Sequence, residues 1–169
     1  MKNKLPTVLL IFLACALSCY TQASAQDTAR VLEGPELTRV VPPGFYFKGL
    51  SAPTQLRNSA AARLGDRYVV VGLVDTSGYA ADVRARYEGF FITDSAIEIN
   101  GQGVTAGAYG FGFTEDGKLN ILDLAGNDLL SAKTTKDTTL RRPRPLMMSK
   151  TNEGVRLYSG RDYVVLTFK

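Results

Sequence analysis

The chain has 169 residues, with 20 lysines and arginines against 16 acidic residues, a formal net charge of +4, and neither histidine nor tryptophan. Without histidine it contains no Ser-His-Asp or Cys-His arrangement and no ordinary zinc, copper or haem site, which excludes most hydrolase chemistries. Without the two lysines of the predicted N-terminal signal the net charge is +2, which is too small to predict nucleic acid or an anionic membrane as a partner.

The first 25 residues are typical of a secretory signal. Lys2 and Lys4 precede an apolar run, Val8–Leu17, and Ala23-Ser24-Ala25 has the small-x-small form that signal peptidase cleaves. The run is well short of the ~20 residues that span a bilayer. We therefore expect a periplasmic or secreted protein with no transmembrane segment after cleavage. Lipid anchoring through Cys19, which follows a small residue, is the alternative localisation.

Cleavage changes the composition of the chain. It removes Lys2 and Lys4, which lowers the formal net charge from +4 to +2, and it removes Cys15 and Cys19, the two cysteines of the sequence. Because the mature chain has no thiol, packing alone must stabilise it. We predict three parts: the signal (1–25), an extended proline-containing lead segment (26–43) and one antiparallel β domain (44–169).

The first half of the domain contains a hairpin signal. After a first strand at Phe45–Lys48, two strand-like runs, Gln55–Leu64 and Arg67–Val74, flank Gly65-Asp66, which suits a type II′ turn. The second run is apolar on both faces, which predicts a strand in the middle of the fold. The following stretch, Tyr79–Tyr87, has some helical character and supports two helical turns at most.

The stretch from Ser95 to Leu124 shows the β pattern most clearly, as three apolar segments separated by two glycine-bearing turns. In its middle segment Tyr109, Phe111 and Phe113 lie on one face of a strand, while Gly110 and Gly112 lie on the other. We predict that the three aromatic side chains point into the core and that the two glycines admit a close neighbour.

A ligand is the alternative explanation for the two glycines. The glycine face could form the floor of a shallow site, with Tyr79, Tyr87 or Tyr158 as its walls. Tyr79 is therefore a candidate ligand-binding residue.

The whole pattern predicts about nine or ten short strands, with turn signals roughly every ten residues and at most one short helix after the signal. The fold class is therefore all-β, a single-domain antiparallel β-sandwich, with a closed or partly open β-barrel as the alternative.

One motif resembles a catalytic signature. Leu73-Val74-Asp75-Thr76-Ser77-Gly78 resembles the apolar-apolar-Asp-Thr-Gly sequence of aspartic proteases, with Ser77 as an extra residue. The resemblance implies a homodimer in which two copies of Asp75 share a proton. The alternative is that Asp75 accepts hydrogen bonds from backbone donors in a turn after a central strand.

A basic proline run provides the second candidate site. Arg141, Arg142 and Arg144 alternate with prolines in Arg141–Pro145, which favours an extended segment. Three guanidinium groups could bind an acidic polysaccharide, a phosphate group or the acidic patch of a partner. The alternative is a solvated connection whose prolines protect a sheet edge.

Acidic turns at Glu115–Gly117 and Asp123–Asp128 could hold calcium, although their spacing is not that of an EF-hand. We expect no metal and no organic cofactor. The predicted function is a non-catalytic binding or structural role toward an unknown protein, glycan or small ligand. The alternatives are a calycin-like barrel that carries a small apolar molecule, although the Gly-x-Trp of typical lipocalins is absent, and an Asp-dependent hydrolase centred on Asp75.

Overall fold

A computed structural model describes residues 28–169, and the predicted signal peptide with Cys19 lies outside the described residues. In chain order the elements are β1 (Arg30–Val31), α1 (Gly34–Val40), β2 (Gly44–Phe47), β3 (Leu50–Leu64), β4 (Arg67–Val74), α2 (Ala81–Arg84), β5 (Gly89–Thr93), β6 (Ile97–Ile99), β7 (Gln102–Val104), β8 (Gly107–Thr114), β9 (Lys118–Leu122), β10 (Asp128–Lys133), β11 (Thr135–Lys136), β12 (Arg144–Thr151), β13 (Gly154–Gly160) and β14 (Asp162–Phe168).

The strands form two antiparallel sheets. The first has the order β1-β3-β4-β5-β8-β9-β10, with β2 also paired to β3, and the second has the order β12-β13-β14-β6-β7, with β11 also paired to β14. The two sheets do not close into a barrel, so the predicted all-β sandwich is confirmed and the closed-barrel alternative is wrong. Within residues 28–169, no helix is long and apolar enough to cross a membrane.

Three details of the prediction need correction. The described residues contain fourteen strands rather than nine or ten, and two short helices rather than one. The lead segment is not simply extended, because it contains β1 and α1. Two-residue strands are too short to show an alternating pattern. In α1 a proline occupies the first turn, where its missing N–H costs nothing, so the residue that suggested a loop in fact begins a helix.

The predicted hairpin is confirmed. Strands β3 and β4 pair from Leu64–Arg67 outward across the two-residue connection Gly65-Asp66. Gly65 has a φ of +59°, a conformation that glycine adopts without strain, while Asp66 keeps a negative φ, as a type II′ turn requires. Strand β4 pairs with β5 on its other side and therefore lies inside the sheet.

Both faces of β4 are buried because the fold contains two apolar clusters. Val69 and Val71 belong to the core between the sheets, together with Phe91, Phe111, Ile121, Leu146, Leu157 and Val164. Val70 and Val74 belong to a second cluster on the outer face of the first sheet, which includes Leu32, Phe45, Phe47, Tyr79, Tyr87 and Phe90. The elements β2, α1 and α2 contribute residues to or pack against this second cluster, which explains the two-sided apolar pattern of the strand.

The glycine-rich strand β8 lies between the same two clusters. Phe111 is fully buried in the inter-sheet core, and Tyr109 and Phe113 are half-buried against it. On the other face, a Cβ at Gly110 would lie 2.5 Å from Cε2 of Phe47, and one at Gly112 would overlap the backbone of Arg86. Glycine is therefore required at both positions by close packing, and the glycine face is filled by protein.

The two sides of the sandwich differ. On one side, Asn100 and Gln102 donate side-chain hydrogen bonds to the carbonyl oxygens of Lys133 and Ser131 on β10, at 2.8 and 3.3 Å, and so link the second sheet to the first. On the opposite side, the edge strands β1 and β12 flank an open groove. This groove contains the candidate site.

Candidate anion-binding groove

The open side of the sandwich forms a groove of about 840 Å³. One wall is the segment from β1 into α1, the base is β3, and the other wall is the β11–β12 loop with the first half of β12. Its lining consists of Val31, Leu32, Glu33, Gly34, Leu37, Arg57, Ser59, Ala60, Leu140, Arg141, Arg142, Arg144, Leu146, Met147 and Met148. The groove is within the size range of small-ligand sites.

Four arginines, Arg57, Arg141, Arg142 and Arg144, give this groove its charge, against the single carboxylate of Glu33. All four side chains are exposed. Among the described residues, none of these four guanidinium groups forms an ion pair or donates a hydrogen bond to another protein group. Their donors are therefore available to an external acceptor.

The remaining lining of the groove is mostly apolar. Ala60, Leu146 and Met148 are buried and belong to the inter-sheet core, and Leu32 belongs to the outer cluster. The groove thus extends from a charged, exposed rim to an apolar base formed by the edge of both cores.

Asp137 fixes the loop that carries Arg141 and Arg142. Its Oδ1 accepts hydrogen bonds from the Thr139 N–H at 2.9 Å, the Thr139 hydroxyl at 2.6 Å and the Leu140 N–H at 3.1 Å. Hydrogen bonding from the Thr139 side chain is the main reason that the pKa of Asp137 is lowered from its ordinary value. The ionised carboxylate therefore fixes the start of the arginine loop.

Strand β13 holds the same carboxylate from the other side. The Tyr158 hydroxyl donates to Asp137 Oδ2 at 3.0 Å, and Nη1 of Arg156 lies 3.8 Å from that oxygen. The Arg156 guanidinium stands over the ring of Tyr163, 4.4 Å from its centroid. This cluster on the outer face of the second sheet anchors the loop to its strands.

The opposite wall has its own anchor. Arg30 on β1 forms a bidentate pair with Glu36 on α1, with N–O distances of 2.8 and 2.9 Å. Fork-to-fork geometry of this kind sets the orientation of both side chains. Arg57 projects from the part of β3 between Thr54 and Ser59, where the pairing with β4 is interrupted.

The residues predicted from the sequence divide into two groups. The structure places Arg141, Arg142 and Arg144 at the groove, with Pro145 in the irregular start of edge strand β12. Asp75 and Tyr79 do not line it. The five candidate ligand-binding residues therefore do not form one site.

Asp75 lies in an exposed turn after β4, where its Oδ1 accepts the Ser77 N–H at 3.0 Å. That backbone hydrogen bond is the first cause of a pKa lowered from the ordinary carboxyl value. A general acid in a carboxylate pair needs the opposite, a raised pKa. The geometry corresponds to the turn-capping alternative.

The three tyrosines considered as walls of a glycine-floored site are not arranged as walls. Tyr79 and Tyr87 are buried in the outer cluster, where Tyr87 stacks on Phe47 with ring centroids 3.9 Å apart. The Tyr79 hydroxyl donates to the carbonyl oxygens of Phe47 and Leu50 at 3.2 and 3.0 Å. Burial raises the pKa of both phenols. Tyr158 lies on the other sheet.

The acidic turns considered for calcium are separate. Asp116 pairs with Lys118 at 2.5 Å, and Asp123 accepts hydrogen bonds from the backbone and side-chain N–H groups of Asn127, both at 2.8 Å. Across residues 28–169, no three acidic, histidine or cysteine side chains converge as metal ligands would.

Sequence reasoning missed two residues of this region, Arg57 and Asp137. Arg57 is a single arginine in a polar stretch, and its relation to residues 141–144 exists only in three dimensions. Asp137 did carry a local signal, since Asp-Thr-Thr after a strand is typical of an Asx turn.

Comparison of the chain with protein-family models, with curated proteins and with solved structures gave no significant match.

Proposed function

We propose that this protein is a non-catalytic binding protein that recognises an anionic ligand in the groove between β1, β3 and β12. The observation that carries the proposal is the group of four exposed arginines without a protein acceptor, around one concave surface. Guanidinium groups bind carboxylate, phosphate and sulfate groups bidentately, so the donor geometry suits an anion.

The electrostatics of the groove support this proposal. Two unit charges at 4 Å interact by about 1 kcal/mol in bulk water and by about 4 kcal/mol near a protein surface. Arg141, Arg142 and Arg144 lie within four positions of one another, and the lining supplies one carboxylate, that of Glu33. An anion would relieve the repulsion among the guanidinium groups.

Export is part of the proposal. The residues that predict a signal peptide lie outside the described part of the chain, and the described domain contains no cysteine. We propose that the domain acts in the periplasm or outside the cell, where the ligand would be an anionic cell-surface or extracellular molecule.

Retention on an immobilised sulfated polysaccharide tests anion recognition. The protein is expected to elute at higher salt than a variant in which Arg141, Arg142 and Arg144 are all changed to serine, because salt screens the guanidinium groups. The matched control is Arg84→Ser/Lys133→Ser/Lys150→Ser, which removes the same charge from exposed positions outside the groove.

The control variant distinguishes binding at the groove from retention through the overall charge of the protein. If the groove variant and the control elute at the same salt concentration, retention reflects overall charge and the proposed site is wrong. Melting curves of both variants would show whether each remains folded.

A further inference from the structure

We infer that the ligand of this groove is a single-chain anionic amphiphile, whose head group binds the arginines and whose hydrocarbon chain lies on the apolar base. The inference rests on the proposed function and narrows it to one ligand class. It follows from the arrangement of charged and apolar side chains within the groove.

The charged and apolar parts of the lining lie at different depths. The four arginines are exposed at the rim, whereas Leu32, Ala60, Leu146 and Met148 are each at most 8% exposed. Above these buried residues, the lining also contains half-buried apolar side chains, those of Val31, Leu37, Leu140 and Met147. A linear polyanion that contacted only the guanidinium groups would leave these side chains against water. An amphiphile covers both parts, and its chain is driven to the base by the hydrophobic effect.

The base is suited to a flexible chain. Ala60, a small side chain, leaves space between the walls, and Met147 and Met148 carry unbranched side chains that adapt their shape to a ligand. Leu37 on α1 and Leu140 on the arginine loop are half-buried on opposite walls. These two side chains are placed to contact the chain near the head group.

Two sheet edges flank the groove. Strand β12 pairs with β13 alone, and β1 pairs with β3 over two residues, so both strands are sheet edges where they flank the groove. On the opposite side of the sandwich, Asn100 and Gln102 bridge the sheets. Under the groove, Cα atoms of β3 and β12 lie within 8 Å of each other, so the two sheets are in close contact there and the ligand chain would lie along the outside of this edge.

A series of alkyl phosphates tests the inference directly by calorimetry. Methyl, hexyl, octyl and decyl phosphate are titrated below their micelle-forming concentrations, with decylphosphocholine as the zwitterionic control of equal chain length. Each added pair of methylenes is expected to raise the affinity roughly tenfold until the base is filled, because each buried methylene contributes about 0.8 kcal/mol. Decylphosphocholine is expected to bind at least about tenfold more weakly than decyl phosphate.

A substitution in the apolar lining tests where the hydrocarbon chain of the ligand lies. Leu37→Asn is expected to weaken the binding of decyl phosphate at least about fivefold and the binding of methyl phosphate less, because methyl phosphate has no chain to contact Leu37. The matched control is Leu129→Asn, which changes an exposed leucine on β10 outside the groove. The chain-length series uses the unmodified protein, so the test does not depend on the folding of either variant.

The outcomes separate this inference from the proposed function. Equal affinity for methyl and decyl phosphate would overturn the amphiphile and leave an anion site. Equal affinity for decyl phosphate and decylphosphocholine would overturn the role of the arginines, and with it the proposed function. Retention on the sulfated polysaccharide without binding of any alkyl phosphate would also overturn the inference, in favour of a polyanion.

Discussion

The Tyr158 hydroxyl donates a hydrogen bond to Asp137 at 3.0 Å, and the other oxygen of the same carboxylate accepts from the first residues of the arginine loop. Through this pair a strand of the second sheet sets the position of Arg141 and Arg142, although neither Asp137 nor Tyr158 lines the groove. The groove therefore depends on residues that do not touch its ligand.

The first prediction is that Asp137→Ala weakens anion binding although it removes no positive charge. The variant lacks the carboxylate that accepts four hydrogen bonds, so the loop is less ordered in the free protein. Binding must then order the loop, and we expect the affinity for decyl phosphate to fall about tenfold. Tyr158→Phe removes one of these bonds and is expected to cost about 1 kcal/mol of unfolding free energy with a smaller loss of affinity. Unchanged affinity in Asp137→Ala would show that the carboxylate does not position the loop.

The second prediction concerns pH. Because the folded protein lowers the pKa of Asp137, this group stabilises the fold above the unfolded carboxyl pKa of ~3.9, and the contribution is lost as pH falls through the folded pKa. Asp137→Asn should therefore lower the melting temperature at pH 7, and the difference from the unmodified protein should shrink toward ~pH 2.

Melting curves between pH 7 and pH 2 check this second prediction. Glu153→Gln, at an exposed position whose side chain makes no hydrogen bond among the described residues, serves as the control. A difference between Asp137→Asn and the unmodified protein that stays constant over the whole range would contradict the proposed role of the ionised carboxylate.

Much of the scaffold was predictable because its determinants are local. Gly65-Asp66 specifies the turn between β3 and β4, and the two apolar faces of Arg67–Val74 place β4 inside the sheet. The register of distant strands has no such local determinant. For the same reason the groove was predicted only in part: Arg141 and its neighbours form a visible cluster, whereas Arg57 joins them through packing of strands more than eighty residues apart.

The third prediction tests the packing of the glycine strand. Gly110→Ala would place a Cβ 2.5 Å from the Phe47 ring, which is itself stacked on Tyr87, so the ring must move within a filled cluster. We expect a loss of about 2 kcal/mol in the free energy of unfolding. Gly103→Ala, where a Cβ would meet nothing within 4 Å, is the control and should be neutral or slightly stabilising. Urea unfolding measures the free energy of unfolding of both variants, and the m-value is expected to stay unchanged. Equal stability of the two variants would show that the glycine face is not filled.

The fourth prediction concerns Arg57, which sequence reasoning missed. Arg57→Ser is expected to lower the affinity for decyl phosphate about threefold to tenfold and to reduce the salt dependence of binding, because one of four guanidinium groups is removed. Arg84→Ser removes the same charge from α2, outside the groove lining, and should change neither quantity. Equal effects of the two substitutions would place the ligand elsewhere.

The last prediction concerns the closed side of the sandwich. The Asn100 side chain donates to the Lys133 carbonyl on β10 and accepts the Val165 N–H on β14, both at 2.8 Å, so one residue joins the two sheets. Its φ of +48° lies in the left-handed region, which asparagine tolerates better than alanine. Asn100→Ala loses both hydrogen bonds and strains the backbone, so we expect the free energy of unfolding to fall by about 2 to 3 kcal/mol. Asn100→Gly loses the same hydrogen bonds without the strain, so its loss should be about 1 kcal/mol smaller. Chemical denaturation distinguishes the two, and equal stability of Ala and Gly variants would contradict the backbone contribution. Because Asn100 lies on the side opposite the groove, the affinity of the folded variants for decyl phosphate should stay unchanged.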